Sequence, residues 1–397
     1  MGFLPSRLLR RAPKRWDRPA VLFLTSPAPA KYAHGFYLGE KRFPLGIGYL
    51  VSVLVKNGVH VDFADLYARN RKVRFGDYDV VGIYADTICF EGGTIPLVRK
   101  IERSGFKGRI VMGGPHASVM PDSIPPDVHH IVQGEGEEVI CGIVNGSIRE
   151  RVIKSRRIRD LDSLPRPAYD IYRLSLYDLR FEELKAPRRV FTYSSSRGCP
   201  FDCRFCSSKS IYNRVWTSHS AERIVDDIRY LKDRFNIDGV YFREDNFSVD
   251  MDRVREMCSL LIEQGIRVLW KCETRVGVSH EDLALMYRAG LRIVYVGFES
   301  GSQHLLDIYN KQIDLNQSKQ FVRDCKEIGL TVYGSFVVET PWETDEDVRL
   351  TREFVEELDL DRVTLNKYIA IPGSEMYEDI IRDPDLQKKK QTTVLRF

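Results

Sequence analysis

The stretch Ser196-Arg197-Gly198-Cys199-Pro200-Phe201-Asp202-Cys203-Arg204-Phe205-Cys206 decides how the chain is read. Its three cysteines are spaced C-x3-C-x2-C, whereas Cys89, Cys141, Cys258, Cys272 and Cys325 are scattered and read as ordinary core thiols. Thiolates are the usual protein ligands of iron–sulfur clusters. Three of them on one loop hold three irons of a cubane and leave the fourth open to a small chelating molecule. Zinc is the alternative, but structural zinc takes four ligands, usually with cysteines in C-x2-C pairs. His219 is a candidate fourth ligand, and no second cysteine pair lies nearby. In a chain of 397 residues eight cysteines do not make a secreted disulfide framework, so a reducing cytoplasm fits.

Working outward, a strand-then-helix rhythm runs over residues 189–380. Strands are expected to begin near Val190, Gly239, Arg267, Arg292, Thr331 and Arg362, with helices near 220–235, 250–264, 280–289, 315–328 and 345–358. Six such units with right-handed crossovers predict a partial (β/α)6 barrel whose chemistry sits at the carboxyl ends of its strands. Alternation along the strands makes Trp270, Cys272, Tyr295, Tyr333 and Tyr368 candidates to face the barrel interior. Residues 18–150 alternate in the same way and predict a parallel α/β sheet covered on both faces. Its Gly- and Pro-rich loops follow Leu24, Tyr84, Met112 and Val132, at the strand ends where such sheets bind ligands. The turn-rich segment 151–188 reads as a linker, 1–17 as a basic N-terminal arm, and 381–397 as a polar tail.

With 60 basic and 56 acidic residues the net charge is +4, too mild to point to nucleic acid. No run of about 18 apolar residues exists, so no transmembrane segment is expected. The basic arm before Val21–Leu24 imitates a signal peptide, but the apolar stretch is too short for one.

The cysteine triad, with an aromatic before its last member, resembles the radical S-adenosylmethionine superfamily. Phe242-Arg243-Glu244-Asp245-Asn246-Phe247, Thr274-Arg275, Gly297-Phe298-Glu299-Ser300-Gly301 and Ile371-Pro372-Gly373-Ser374 resemble that family's later strand ends. The resemblance implies a [4Fe-4S] cluster on Cys199, Cys203 and Cys206. It also implies that Phe205, Glu244, Asp245, Arg275, Glu299 and Ser300 surround S-adenosylmethionine, Glu244 and Asp245 near its amine and Arg275 near a carboxylate. As the alternative, Asp245 caps the next helix. After the fifth strand the family usually shows Gly-x-Pro-Gly-Glu-Thr, and here the residues are Glu339-Thr340-Pro341-Trp342-Glu343-Thr344. Replacing both glycines matters wherever the backbone needs positive φ.

The first region resembles the cobalamin-binding domain found ahead of many radical enzymes, a Rossmann-like parallel sheet. The matching pieces are Leu45–Leu50, Asn57–Val61, Gly113–Ala117 and Gly134–Glu138. Gly113, Gly114, Gly134, Glu135 and Gly136 would then touch the corrin or its nucleotide tail. The Asp-x-His-x-x-Gly motif that supplies a lower histidine ligand is lacking: His34 sits in Tyr32-Ala33-His34-Gly35, and His60 and His116 lie elsewhere. Tyr84 or a neighbour is expected to cover the lower face of the cobalt instead.

Together the resemblances imply a cobalamin-dependent radical methyltransferase acting on an unactivated carbon or phosphorus centre. Its substrate would be a small molecule, a natural product or a lipid, and its electron donor a flavodoxin or ferredoxin. The alternatives are a non-methylating radical reaction (cyclisation, ring contraction or carbon–carbon coupling) and a non-catalytic cobalamin-binding sensor.

Overall fold

A computed structural model describes residues 19–28, 41–69, 71–181, 184, 186, 189–389 and 393–394. The readings of the 1–17 arm and of His34 lie outside the described residues. The chain divides into two compact units, one containing residues 46–156 and 167–173, the other 157–166 and 174 onward together with 40–45.

In the first unit the parallel strands are β1 (Ala20–Thr25), β2 (His60–Ala64), β3 (Val80–Tyr84), β4 (Arg109–Gly113), β5 (His130–Gln133) and β6 (Val152–Lys154), ordered β2-β1-β3-β4-β5-β6. β1 is buried at every position, as a central strand covered on both faces must be. Helix Leu45–Lys56 buries Ile47, Tyr49, Val51 and Leu54 in the same core as Val21, Phe23, Val80 and Val111. A Cβ on Gly48 would fall 2.6 Å from the Tyr172 hydroxyl, so only glycine lets that segment lie against the helix. β6 falls in the stretch read as linker. Its three residues are flanked by charge and half exposed, the blunt form that an edge strand takes.

The second unit opens on β7 (Val190–Tyr193) and the short antiparallel ribbon of β8 (Ser196–Arg197) and β9 (Thr217–Ser218). Then come β10 (Gly239–Phe242), β11 (Leu269–Thr274), β12 (Leu291–Glu299), β13 (Thr331–Val338) and β14 (Arg362–Lys367). The parallel order β7-β10-β11-β12-β13-β14 follows the sequence, as successive strand–helix units laid down in one direction give. The helices between them start where the sequence says. Ser220, Asp250, Ser279, Asp314 and Thr344 each accept a hydrogen bond from a first-turn backbone N–H, contacts worth about 1 kcal/mol apiece.

One expectation about this sheet is reversed. Phe181, Val190, Tyr241, Ile293 and Tyr333 form the inner cluster, with Tyr295 packed against it. Lys271 stands in register with Tyr241 and Ile293, and its ammonium lies 4.1 Å from the Tyr241 ring centre, so Lys271 and Glu273 face inward. Trp270 and Cys272 therefore face the helices: Trp270 packs on Phe242 and Phe247 and donates to the Ala289 carbonyl. The helix-covered face is drier than the interior of this open sheet, which is why the apolar pair turns outward. Tyr368 also leaves the interior and packs with Leu305, Tyr309 and Met376.

The loop after β13 separates the two missing glycines. Glu339 holds φ +60°, the left-handed conformation a glycine would take freely. Trp342 has no positive φ and packs on the cluster of Leu305, Tyr309 and Tyr368. Left-handed backbone costs a residue with a Cβ about 1–2 kcal/mol. Glycine in its place returns about 0.4–1 kcal/mol through unfolded-chain entropy. Glu339→Gly should therefore leave the urea midpoint unchanged or raise it slightly, whereas Trp342→Gly should lower stability by about 2–4 kcal/mol. Equal losses in the two variants would contradict this account.

Candidate functional site

The cysteine loop joins β8 to the short helix Ser208–Tyr212. Gly198 makes the turn into it at φ +82°, where a Cβ would fall 2.5 Å from the Val215 carbonyl oxygen. The loop is tied down along its length. Asn310 donates to the Asp202 carbonyl at 3.0 Å, Arg204 N donates to the Tyr309 carbonyl at 2.9 Å, and the Arg204 guanidinium bonds the Ile308 carbonyl and pairs with Asp379. All three thiols are free of disulfides. Burial pushes the Cys206 thiol up to about 12 and raises that of Cys199, so binding them as thiolates releases protons and favours higher pH. Among the described residues no group of three or more His, Cys, Asp or Glu converges as one metal ion would require. A cubane makes a different demand, because each thiolate binds its own iron. His219, the candidate fourth zinc ligand, is buried and bonded to Asp162 at 2.9 Å.

Two N–H groups already point at the sulfurs. Arg275 Nη1 lies 3.4 Å from Cys203 Sγ and Ser208 N lies 3.4 Å from Cys206 Sγ. Hydrogen bonds to sulfur are a main control on cluster potential. The rest of the Arg275 fork is committed: it donates to the Lys311 carbonyl and stacks at 3.9 Å on the Phe201 ring. Arg275 thus braces the loop rather than standing free for a carboxylate.

Glu244 and Asp245 have separate fates. Glu244 is buried and accepts from Ser195 N at 3.2 Å, from Ser195 Oγ at 2.7 Å and from Ser196 Oγ. Arg253 donates to Ser195 Oγ at 2.9 Å and to the Ser195 carbonyl at 3.2 Å. Burial outweighs these contacts and pushes the Glu244 carboxyl up to about 7. Asp245 does not cap a helix; Asp250 does that. Asp245 accepts from Ser208 Oγ at 2.6 Å and is reached by solvent, yet the protein around it raises its carboxyl by desolvation.

At the end of β12, Glu299 holds φ +67° and accepts from Lys311 Nζ at 2.7 Å, both side chains being buried. A Cβ on Gly297 would fall 2.1 Å from Glu299 Oε1, so a larger residue there would displace the Glu299–Lys311 pair. Non-glycine residues held in this conformation gather at ligand sites. Phe205 lies near both Lys311 and Tyr309. Ser300 is turned away, its hydroxyl near Thr351 Oγ1 and accepting from Ser302 N. The fold thus brings Phe205, Asp245, Arg275 and Glu299 around the thiols, with Glu244 one layer behind. Lys311, Ser208 and Arg253 were not legible: their partners are 12, 37 and 58 residues away.

In the first unit Thr25, Tyr84 and Gly113 stand in register at the carboxyl ends of β1, β3 and β4. Gly114 takes φ +106° with its absent Cβ 3.1 Å from the Tyr84 ring, and Gly134 takes φ +85°. Ser118 ties their loops together, donating to the Gly114 carbonyl and accepting from Gly134 N. Gly136 sits over Leu50, and Glu135 is buried beside it. His116 is fully buried, stacks on Phe90 at 3.6 Å and meets Ser123 Oγ at 2.8 Å; burial lowers its pKa to about 4.

The raised Glu244 carboxyl has a consequence for stability. Its ordinary value is 4.5, so between about pH 4.5 and 7 the folded state binds the proton more tightly than the unfolded state. Stability therefore falls as pH rises through that window. In urea titrations of the cluster-free protein, Glu244→Gln should show a shallower fall than the native chain; an unchanged slope would refute the assignment.

The model of the radical SAM superfamily matches residues 193–355. An uncharacterized methyltransferase of Pyrococcus horikoshii is 29% identical, over 92% of this chain and 85% of its own length. The cytidylyl-2-hydroxyethylphosphonate methyltransferase of Streptomyces wedmorensis is 23% identical, over 96% of this chain and 85% of the relative. Among solved structures, the radical S-adenosylmethionine methyltransferase TsrM of Kitasatospora setae, with cobalamin and a [4Fe-4S] cluster bound, aligns with a TM-score of 0.69 and 16% identity, over 92% of this chain and 75% of that one. The free cysteine triad at the mouth of a parallel strand–helix array, the family match across it and the likeness along both units lead to one conclusion: residues 193–355 match the radical SAM superfamily, and the chain has the fold of solved cobalamin-dependent radical enzymes.

Proposed function

We propose that this chain is a cobalamin-dependent radical S-adenosylmethionine methyltransferase acting on a small molecule. The observation that carries the reading is the set of three free thiols on one anchored loop, at the end of the sheet where Asp245, Arg275 and Glu299 converge. A cluster on these thiols supplies the electron that cleaves S-adenosylmethionine for hydrogen abstraction, and a corrinoid supplies the methyl group.

The chain's own contribution is position and shelter. Asp245, held by Ser208 and open to the mouth, is the carboxylate suited to a cationic amine; Glu244 is spent on the serines. Arg275 and the Ser208 amide donate toward sulfur and favour the thiolate state. The Phe201 ring stacks on Arg275, and the Phe205 ring packs on Tyr309. In the first unit, a Rossmann-like arrangement would offer the loops at Gly113–Gly114 and Gly134–Gly136 to a corrinoid. There the absence of side chains lets backbone approach a large planar ligand. His116 is neutral and engaged with Ser123 and Phe90, so no cobalt ligand is assigned to it.

The test is anaerobic reconstitution with iron, sulfide and hydroxocobalamin, followed by S-adenosylmethionine and a strong reductant. Formation of 5′-deoxyadenosine is expected in the native chain and not in the Cys199/Cys203/Cys206→Ala variant. Retained, methylated cobalamin is expected beside it. A chain that takes up cobalamin but no cluster would refute the enzyme reading. Asp245→Asn should keep full iron content but weaken S-adenosylmethionine binding about tenfold, the loss of one charge-assisted contact. Unchanged affinity would move the amine site elsewhere.

A further inference from the structure

The inner wall of the second sheet carries charge that the cluster site does not use. Arg243 continues β10: its N–H donates to the Tyr193 carbonyl at 2.9 Å, in step with the ladder, so its side chain emerges on the same face as Tyr241. That face is the interior. Arg243 is exposed, and its guanidinium makes no hydrogen bond or ion pair among the described residues. Glu273 lies close enough for the two charges to act on each other, yet they do not pair. One Glu273 oxygen accepts from the Tyr241 hydroxyl instead. Lys271 sits deeper, buried between the Tyr241 and Phe181 rings.

Arg243 faces Glu273, whose oxygen is engaged by the Tyr241 hydroxyl. Arg243 is thus left with a fork whose five N–H groups fit an oxyanion in two-point contact. Burial holds the Glu273 carboxyl above its usual range, which weakens its competition for that fork. Tyr295, opposite Glu273 on β12, and Tyr333 supply rings that can flank the body of a ligand.

We infer that Arg243 is the anchor of a substrate subsite inside the barrel, and that the substrate carries an oxyanion, a carboxylate or a phosphoryl or phosphonyl group, seated on this guanidinium with the Tyr241–Glu273 pair beside it. The inference rests on the radical SAM reading of the barrel, which supplies the cofactor that occupies Asp245.

Phenylglyoxal, which modifies accessible guanidinium groups, tests it on the reconstituted full chain. Labelling at each arginine is read by mass spectrometry of peptides, with exposed Arg234 at the far end of its helix as the internal reference. Sodium acetate and methylphosphonate are the two probes, each added in the presence of S-adenosylmethionine. The expected result is that at least one probe slows labelling of Arg243 by roughly threefold or more and leaves Arg234 unchanged, as a charge-assisted contact on the fork requires. Protection by acetate alone identifies a carboxylate substrate, and by methylphosphonate alone a phosphoryl or phosphonyl one. Protection by S-adenosylmethionine without either probe would assign Arg243 to the cofactor and overturn the proposal, as would no protection by either probe. Release of 5′-deoxyadenosine from the same unlabelled preparation is scored separately, so a failed subsite and a failed radical reading give different results.

Discussion

Two serine hydroxyls and a backbone amide converge on one buried carboxylate, Glu244, and Arg253 holds the same serine from the other side. Removing one of these donors leaves a buried acceptor unsatisfied and costs about 1–3 kcal/mol. The clamp fixes how the chain leaves β7 and enters β8, and so where Cys199 begins its loop. Gly198, Asn310 and the backbone of Tyr309 finish the job by setting the turn and tying the loop's far side to the segment after β12. A site built from three flexible cysteine side chains gains its precision from this rigid footing rather than from the thiols themselves.

The second sheet inverts the simplest expectation of an apolar inside. Its helix-covered face holds Trp270, Cys272 and Phe242, while the interior holds Lys271, Glu273, Thr192 and three tyrosines. An open array of six strands need not fill its interior as a closed barrel does. What lines it must then be compatible with water or with a polar ligand, as Lys271, Glu273 and Thr192 are. The non-glycine residues with positive φ at Glu299 and Glu339 lie at the carboxyl ends of β12 and β13, the same end as the cysteine loop. Backbone strain and polar lining thus concentrate together, as they do where function overrides packing.

The first unit uses glycine in place of side-chain chemistry. The loops after β4 and β5 turn through positive φ at Gly114 and Gly134 and are cross-linked by one serine, Ser118. Such a surface presents backbone at the carboxyl ends of parallel strands. It suits a broad ligand held by shape more than one held by charge.

The sequence by itself determined the class of each unit, the order of strands and helices apart from the edge strand β6, and the cysteine triad, because these depend on local signals: periodicity, caps such as Ser220 and Thr344, and close spacing of thiols. It also marked the loop after the fifth strand as unusual, and the strain there falls on Glu339 alone. Alternation could not say which face of β11 looks inward, because Trp270 and Lys271 are both compatible with burial until the neighbouring strands and helices are present. Nor could it separate Glu244 from Asp245, adjacent carboxylates whose roles part only when Ser195 and Ser208 arrive from 49 and 37 residues away. Those decisions belong to tertiary structure, because the free energy of a buried charge depends on the partners that desolvate and pair it, and these are neighbours in space rather than in sequence.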